Sequence, residues 1–325
     1  MDQLLFSLNA TIPVFLTMVI GYLLKVFHIV DEPFIKTLNS FNFKITLPVL
    51  LFKDIAGSDF YSVWDTRYVL YCFAVTFLCI AAIWIIAGIF YRDKAHLGEL
   101  VQASYRSSAA VLGIAFIQNI YGNSGMAPLM IIGTVPLYNI AAVLILSFTG
   151  PKASETETAS GLGSRLDKAA LKKSVKGVLT NPIIIGIFLG MAASLCRISF
   201  PVMISKTINN VASLASPLAL IGLGAGFEGR KALKQLKPTA VASLIKLVVL
   251  PALFLPLAIK LGFTTEKLVG ILVMLGSPTT PSCYIMAKNM GHEGTLTSSV
   301  VLTTTFLSSI TLTMWLFILR SIGVI

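Results

Sequence analysis

The sequence predicts an all-α integral membrane protein: ten transmembrane helices built as two inverted five-helix repeats, with helices 4 and 9 broken near mid-membrane. Three observations carry that expectation. Apolar residues make up 56% of the 325 and charged residues only 12%, against about 25% charged in a soluble globular chain, and mean hydropathy is +0.86. Apolar runs of 18 to 25 residues recur from end to end, each able to cross ~30 Å of hydrocarbon at ~1.5 Å per residue. Special-backbone residues of the first half also return in the second at a constant offset. So little charge cannot cover a water-soluble body of this size, which excludes a soluble enzyme, a disordered chain and a nucleic-acid-binding domain. The net charge of +11 sits mostly in a few loops, where cytoplasmic positive bias accounts for it.

Taken in order, the spans are expected at 4–27, 35–56, 68–91, 98–121 and 126–148, then 179–197, 204–227, 238–262, 267–290 and 296–320. Most are apolar all round, as helices in lipid should be, and open strands cannot cross a bilayer. Residues 1–150 form the first repeat and 179–325 the second, joined by a polar linker at 151–178. The linker opens with the flexible SETETASGLGS and continues with the basic, helical-period LDKAALKKSVKG, suited to an anionic membrane surface. The apolar run from Leu4 to Leu24 follows acidic rather than basic residues, so a first span is expected there rather than a cleavable signal. Cys72, Cys79, Cys196 and Cys283 fall in or beside apolar runs with no CxxC pair; they read as packing residues, and no metal or cofactor is expected.

At an offset of 169, Pro13 meets Pro182, Gly21 meets Gly190, Pro48 meets Pro217 and Gly122 meets Gly291. Five spans per half is odd, so the second copy must enter the membrane from the opposite side, the ground plan of many secondary transporters. Placing both termini outside leaves fifteen Lys and Arg in the inner loops and seven in the outer. The positive-inside bias therefore puts the termini outside and the central linker in the cytoplasm, at a plasma (inner) membrane.

Span nine carries Gly276-Ser277-Pro278-Thr279-Thr280-Pro281-Ser282, which cannot be a continuous helix. Its partner in span four, Tyr105-Arg106-Ser107-Ser108-Ala109-Ala110-Val111-Leu112-Gly113, lacks proline but sets two serines beside an intramembrane arginine. Half-helix ends at the midplane expose unpaired amides suited to a carboxylate, or carbonyls suited to a cation. Arg106, Lys44 and Lys246 fall within spans, at about 2.5–3.5 kcal/mol each if central. No Asp or Glu falls mid-span, Asp54 and Glu99 sitting near ends. Buried cations without buried carboxylates argue for an anionic solute.

The chain is similar to the auxin efflux carrier (AEC) family. The likeness rests on Leu38-Asn39 with Leu47-Pro48-Val49-Leu50-Leu51-Phe52, Asn181-Pro182 with Gly190, and Ser216-Pro217-Leu218-Ala219-Leu220 with Leu223-Gly224. Lys246-Leu247-Val248-Val249-Leu250-Pro251 and Pro278 with Ala287-Lys288 extend it over nearly the whole chain. The resemblance implies a dimerising scaffold of spans 1, 2, 6 and 7. It also implies a moving transport domain of spans 3–5 and 8–10, whose helices 4 and 9 cross where they break, shifting elevator-fashion. It implies carboxylate substrates such as malate, malonate or auxin. Plant members carry Pro-Asn where this chain has Ser107-Ser108, so a gentler first break is expected.

The expected function is transport of a small organic anion across the bilayer. Its carboxylate should meet Ser107, Ser108, Ser277, Pro278 and the Thr279-Thr280 backbone, with Arg106 or Lys44 attracting it. Ser213 or Ser216, and Tyr138 or Asn139, are further candidates. Alternatives are a Na⁺-coupled anion symporter, with H⁺ coupling also open, and a non-transporting signal transducer. There is no HExxH, no membrane aspartate pair and no serine with a span histidine, so an enzyme is not expected.

Overall fold

The computed structural model describes residues 2–57, 65–109, 117, 120–121, 126–149 and 180–325, with side chains from Ile12 onward. The 151–178 linker, most of span four beyond Ala109 and the Gly122 partner of the repeat lie outside the described residues. Among the described residues all regular structure is helical. The helices are α1 (Asp2–Val26), α2 (Glu32–Phe41), α3 (Leu47–Ala56), α4 (Thr66–Phe90), α5 (Leu97–Tyr105) and α6 (Ala127–Thr149). After the linker come α7 (Pro182–Leu195), α8 (Val202–Ser213), α9 (Ala215–Ala225), the short α10 (Gly229–Lys234), α11 (Leu236–Leu244) and α12 (Leu250–Lys260). The chain ends with α13 (Thr265–Gly276), α14 (Ser282–Asn289) and α15 (Thr295–Ser321).

Thr66–Phe90, Ala127–Thr149, Val202–Ala225, Leu236–Lys260 and Thr295–Ser321 are each long and apolar enough to cross a membrane. Ile12–Val26 and Pro182–Leu195 are shorter apolar helices. This is a multi-pass helical membrane protein, and large apolar side chains such as Ile89, Phe90, Phe306 and Phe317 face outward as lipid requires.

Helix starts follow side-chain capping. The carboxylate of Asp31 accepts from the Phe34 amide at 2.9 Å, that of Asp65 from Tyr68 at 3.0 Å, and the Asn181 amide oxygen from Ile183 at 3.0 Å. Asp65 also accepts from Lys267; that ammonium and the Tyr68 amide hold its carboxyl below the usual carboxylate range. A native value below the unfolded one means the contribution is complete above about pH 4 and fades as the pH falls through the lower native value. Asp65→Ala is expected to lower stability by about 1 kcal/mol at pH 7. Melting temperatures in detergent at pH 7 and in acid should show that deficit shrinking.

Among the described residues, wide π turns interrupt spans at Asn42–Thr46 before α3 and at Ile245–Val249 before α12. Each ends two residues before a proline, Pro48 and Pro251. Proline cannot donate to the carbonyl four residues back and its ring crowds it, so the helix widens just upstream. The carbonyl freed by Pro251 is that of Leu247, and the Trp315 indole donates to it at 3.0 Å. Asn42, in the other π turn, donates to the Ala215 carbonyl at 3.1 Å, where α8 gives way to α9.

The closest helix packing is made over glycines. α3 lies against α7 and α1 against α9. A Cβ on Gly190 would stand 2.9 Å from the Phe52 carbonyl oxygen, and one on Gly21 would strike the Ile221 carbonyl oxygen. Gly21 and Gly190 are 169 residues apart, and so are Phe52 and Ile221. The sequence offset therefore maps one backbone contact onto the other. A second group packs α4 with α5 and α6, and α15 with α11 and α13.

The loops separate into two sets. His96, before α5, meets Asp93 at 2.8 Å, Glu293 before α15 at 3.6 Å and Gln235 before α11 at 3.4 Å. Asp65 before α4 meets Lys267, Arg67 donates to the Leu261 carbonyl at 2.8 Å, and the Thr265 amide donates to Val324 at 3.0 Å. The first set joins loops expected inside, the second loops expected outside. Cys72, Cys79 and Cys283 are buried as expected; Cys196, at the end of α7, is exposed.

Candidate functional site at the helix breaks

α5 ends at Tyr105 and the chain turns extended at Arg106 (φ −71°, ψ 131°); α13 ends at Gly276 and turns extended at Ser277 (φ −70°, ψ 157°). Both spans are broken, and the breaks touch: the Ser108 amide donates to the Pro278 carbonyl at 2.9 Å. How sharply the first break turns, expected to be gentler from Ser107-Ser108, depends on the chain beyond Ala109, outside the described residues; α5 nevertheless stops there without a proline. Tertiary partners take up the carbonyls that a helix end leaves free, so no proline is needed. Thr279 Oγ1 donates to the Ala103 carbonyl at 2.8 Å and Lys246 to Tyr105 at 3.4 Å, while Gln102 Nε2 ties α5 to α14 at the Cys283 carbonyl, 3.1 Å away.

A cleft of about 60 Å³ opens on one side of the crossing. Its walls are Arg106, Ser107 and Ser108 of the first break, Thr280, Pro281 and Ser282 of the second, and Val135, Tyr138 and Asn139 of α6. Leu47, Leu50, Leu51 and Asp54 of α3, Ile183 of α7, and Ala215, Ser216 and Ala219 of α9 close it.

Among the described residues, Arg106 and Asp54 are the ionisable side chains that line the cleft apart from Tyr138, and Arg106 is the more deeply buried of the two. It is only 2% exposed, donates to Asn139 Oδ1 at 2.8 Å and Ser282 Oγ at 3.0 Å, and lies 2.8 Å from Met286 Sδ. Asn139 is itself anchored to the Val135 carbonyl at 2.8 Å, so it orients the guanidinium. Among the described residues the Nε hydrogen has no partner. Among the described residues no carboxylate lies within ion-pair distance of Arg106. A buried charge without a counter-ion is costly. The N-terminus of α14 starts at Ser282 beside it, adding partial positive charge.

Of the residues expected at the site, Arg106, Ser107, Ser108, Thr280, Asn139, Ser216 and Tyr138 line the cleft. Ser277, Pro278 and Thr279 do not; Ser277 and Thr279 are buried in the crossing itself. The Thr279 amide, expected to be free, donates to Thr304 Oγ1 at 3.1 Å. The Ser107 hydroxyl is committed to the Met274 carbonyl and to Lys246. Lys44 and Ser213 are exposed and away from the cleft: Lys44 lies on the outer side of the π turn, and Ser213 bonds its own helix at Asn210.

Two residues of the cleft escaped the sequence reading, and a third residue, Lys246, was read only as a cation within a span. Ser282 was seen only as part of a hydroxyl-rich run. Asp54 was placed near a span end, yet lines the cleft. Lys246 is fully buried beneath the crossing; its place in the middle of an apolar run was the available signal. Glu99, in the first turn of α5 and so near a span end as expected, is fully buried. Its charge is absorbed by the start of α15, where it accepts from the Gly294 and Thr297 amides at 2.8 and 2.9 Å and from Thr297 Oγ1 at 3.0 Å.

Apolar helices of membrane-crossing length surround the cleft, and a family match with transporter-named relatives makes this a membrane transport protein rather than an enzyme. Residues 6–316 match the family model described as "Membrane transport protein", and the chain belongs to that family, the auxin efflux carrier family. It is 25% identical over 323 residues to the "Putative malonate transporter" of Rhizobium meliloti, covering 95% of each chain. Similar relatives include an uncharacterized transporter of Methanocaldococcus jannaschii, 24% identical over 96% of this chain and 98% of the relative. Another is an uncharacterized transporter of Methanothermobacter thermautotrophicus, 22% identical over 95% and 97%.

Proposed function

We propose that this protein is a secondary transporter that moves a small organic anion, a malonate- or malate-like carboxylate, across the plasma membrane. One observation carries the reading: Arg106 lines an open cleft almost wholly buried, with no carboxylate within ion-pair distance among the described residues. An entering carboxylate supplies the missing counter-charge, and the planar guanidinium fork matches its geometry. Ser282, Thr280 and Ser216 add polar wall, and α14 adds its positive end. The cleft is sized for a few water-sized groups, which favours small acids over bulky ones. The name of the Rhizobium meliloti relative agrees in chemistry.

The proposed architecture is ten spans in two inverted repeats, residues 1–150 and 179–325, joined by a cytoplasmic linker with both termini outside. The matching contacts Gly21–Ile221 and Gly190–Phe52 support the repeat, and the separation of the two loop sets supports the span count. The α3–α7 and α1–α9 pairs would form the scaffold, and α4–α6 with α11–α15 the transport domain. The cleft lies between these groups, where an elevator shift would carry bound solute past the scaffold. The resemblance adds a homodimer through the scaffold, which crosslinking in native membranes tests.

Purified protein in liposomes is expected to accumulate labelled malonate or malate, and the same acids should raise its melting temperature by mass action. Neither uptake nor stabilisation across a panel of mono- and dicarboxylates would overturn the anion reading. Stabilisation without uptake of any solute would favour the signal-transducer alternative.

A further inference from the structure

Lys246 is fully buried and does not line the cleft, although its ammonium reaches the wall residue Ser107. It donates to the Leu275 carbonyl at 2.6 Å, reaches the Tyr105 and Met274 carbonyls at 3.4 Å each, and bonds Ser107 Oγ. Among the described residues no carboxylate stands within ion-pair distance of it. Tyr105 closes α5, while Met274 and Leu275 lie in the last turn of α13. The two half-helices thus aim their C-terminal carbonyls, each end carrying about half a negative charge, at one point. Unwound carbonyls and half-helix C-termini converging in this way are how broken-helix transporters hold a coupling cation. Here the position is filled by a side chain. The π turn Ile245–Val249 shapes the local backbone that carries it.

We infer that the Lys246 ammonium is a covalently tethered substitute for an inorganic coupling cation: it occupies the carbonyl site between the two half-helices and makes this protein independent of Na⁺. The crossing then has two charged faces. Arg106 and the α14 N-terminus offer positive charge to the cleft, and the opposed carbonyl ends are neutralised beneath it by Lys246. Ser107 links the two, accepting from Lys246 and donating to Met274. The inference gives the coupling of the site proposed above and rests on that reading for its transport consequence; its structural content stands without it.

The test compares melting temperatures, which need no transported substrate, with uptake. Wild-type protein in detergent should melt at the same temperature in sodium chloride and in choline chloride of equal ionic strength. Lys246→Met, which keeps the stem and loses the charge, should melt lower by at least about 5 °C, because the converging carbonyls lose their donor. Lys246→Ala leaves out three carbons and the ammonium, so n-propylammonium chloride should restore part of its stability, whereas choline, which has no N–H to donate, should not. Malonate uptake by the wild type should be unchanged when choline replaces sodium. A saturable stabilisation of the wild type by sodium over choline would overturn the inference, as would a Lys246→Met protein that melts with the wild type. If neither variant folds, the sodium comparison on the wild type decides alone. If the wild type binds and moves no carboxylate, the transport proposal falls while the melting data still decide the role of Lys246.

Discussion

Arg106→Ala is expected to abolish carboxylate binding and uptake while leaving the folded protein intact. Truncating one partner of a buried charge-assisted pair costs about 2–5 kcal/mol, a loss of affinity of about 30-fold to a few thousandfold. Among the described residues the hydrogen-bond partners of the guanidinium, Asn139, Ser282 and Met286, are all neutral. Its removal therefore relieves a desolvated charge as much as it breaks hydrogen bonds. The variant should melt at or near the wild-type temperature but lose the upward shift that carboxylates produce. Arg106→Lys keeps the charge and loses the fork, so it should fall between the two. Calorimetric titration with malonate and vesicle uptake read both quantities. Binding by Arg106→Ala within a few-fold of wild type would take Arg106 out of the site.

The second large effect concerns stability. Gly21→Leu and Gly190→Leu should each disrupt folding, and to a similar degree, because each drives a side chain into a carbonyl of the facing helix, Ile221 in one case and Phe52 in the other. Overpacking usually costs about 1–3 kcal/mol, occasionally more, and here backbone must move, since small residues are what allow membrane helices this close. Fluorescence-detected size-exclusion after graded heating should show both variants aggregating well below the wild type. Gly88→Leu, where an added side chain meets nothing, should behave as the wild type. If Gly190→Leu were harmless and Gly21→Leu lethal, the equivalence of the two contacts, and with it the main structural support for the repeat, would fail.

Much of the framework was legible in the chain because lipid imposes strong rules. Long apolar runs marked helices, and the double proline of span nine marked a break that no alternative pairing could hide. The offset of 169 picked out Gly21 and Gly190 before any contact was known. Arg106 was legible too, since a guanidinium in an apolar run is expensive wherever its side chain points. Lys44 shows the limit of that logic. It is as unusual in sequence as Lys246, yet one is exposed and the other fully buried. Which face of the helix each occupies depends on neighbours distant in sequence.

Hydrogen-bond allegiance was the other hidden quantity. Thr279 and Ser107 read as free donors for a solute, but Thr304, Ala103, Met274 and Lys246 had already claimed them. Glu99 read as a carboxylate near a span end and turned out to cap α15 from inside the protein. Composition and periodicity by themselves determined the membrane solvent, the helices and the places where a helix had to stop, because these follow from local chemistry against a uniform medium. Only the tertiary structure decided which cation faces the cleft, which one lies beneath it, and which hydroxyls are left for a solute. Each of those is settled by partners some 25 to 180 residues away in the chain, brought within hydrogen-bonding distance by packing that no local pattern encodes.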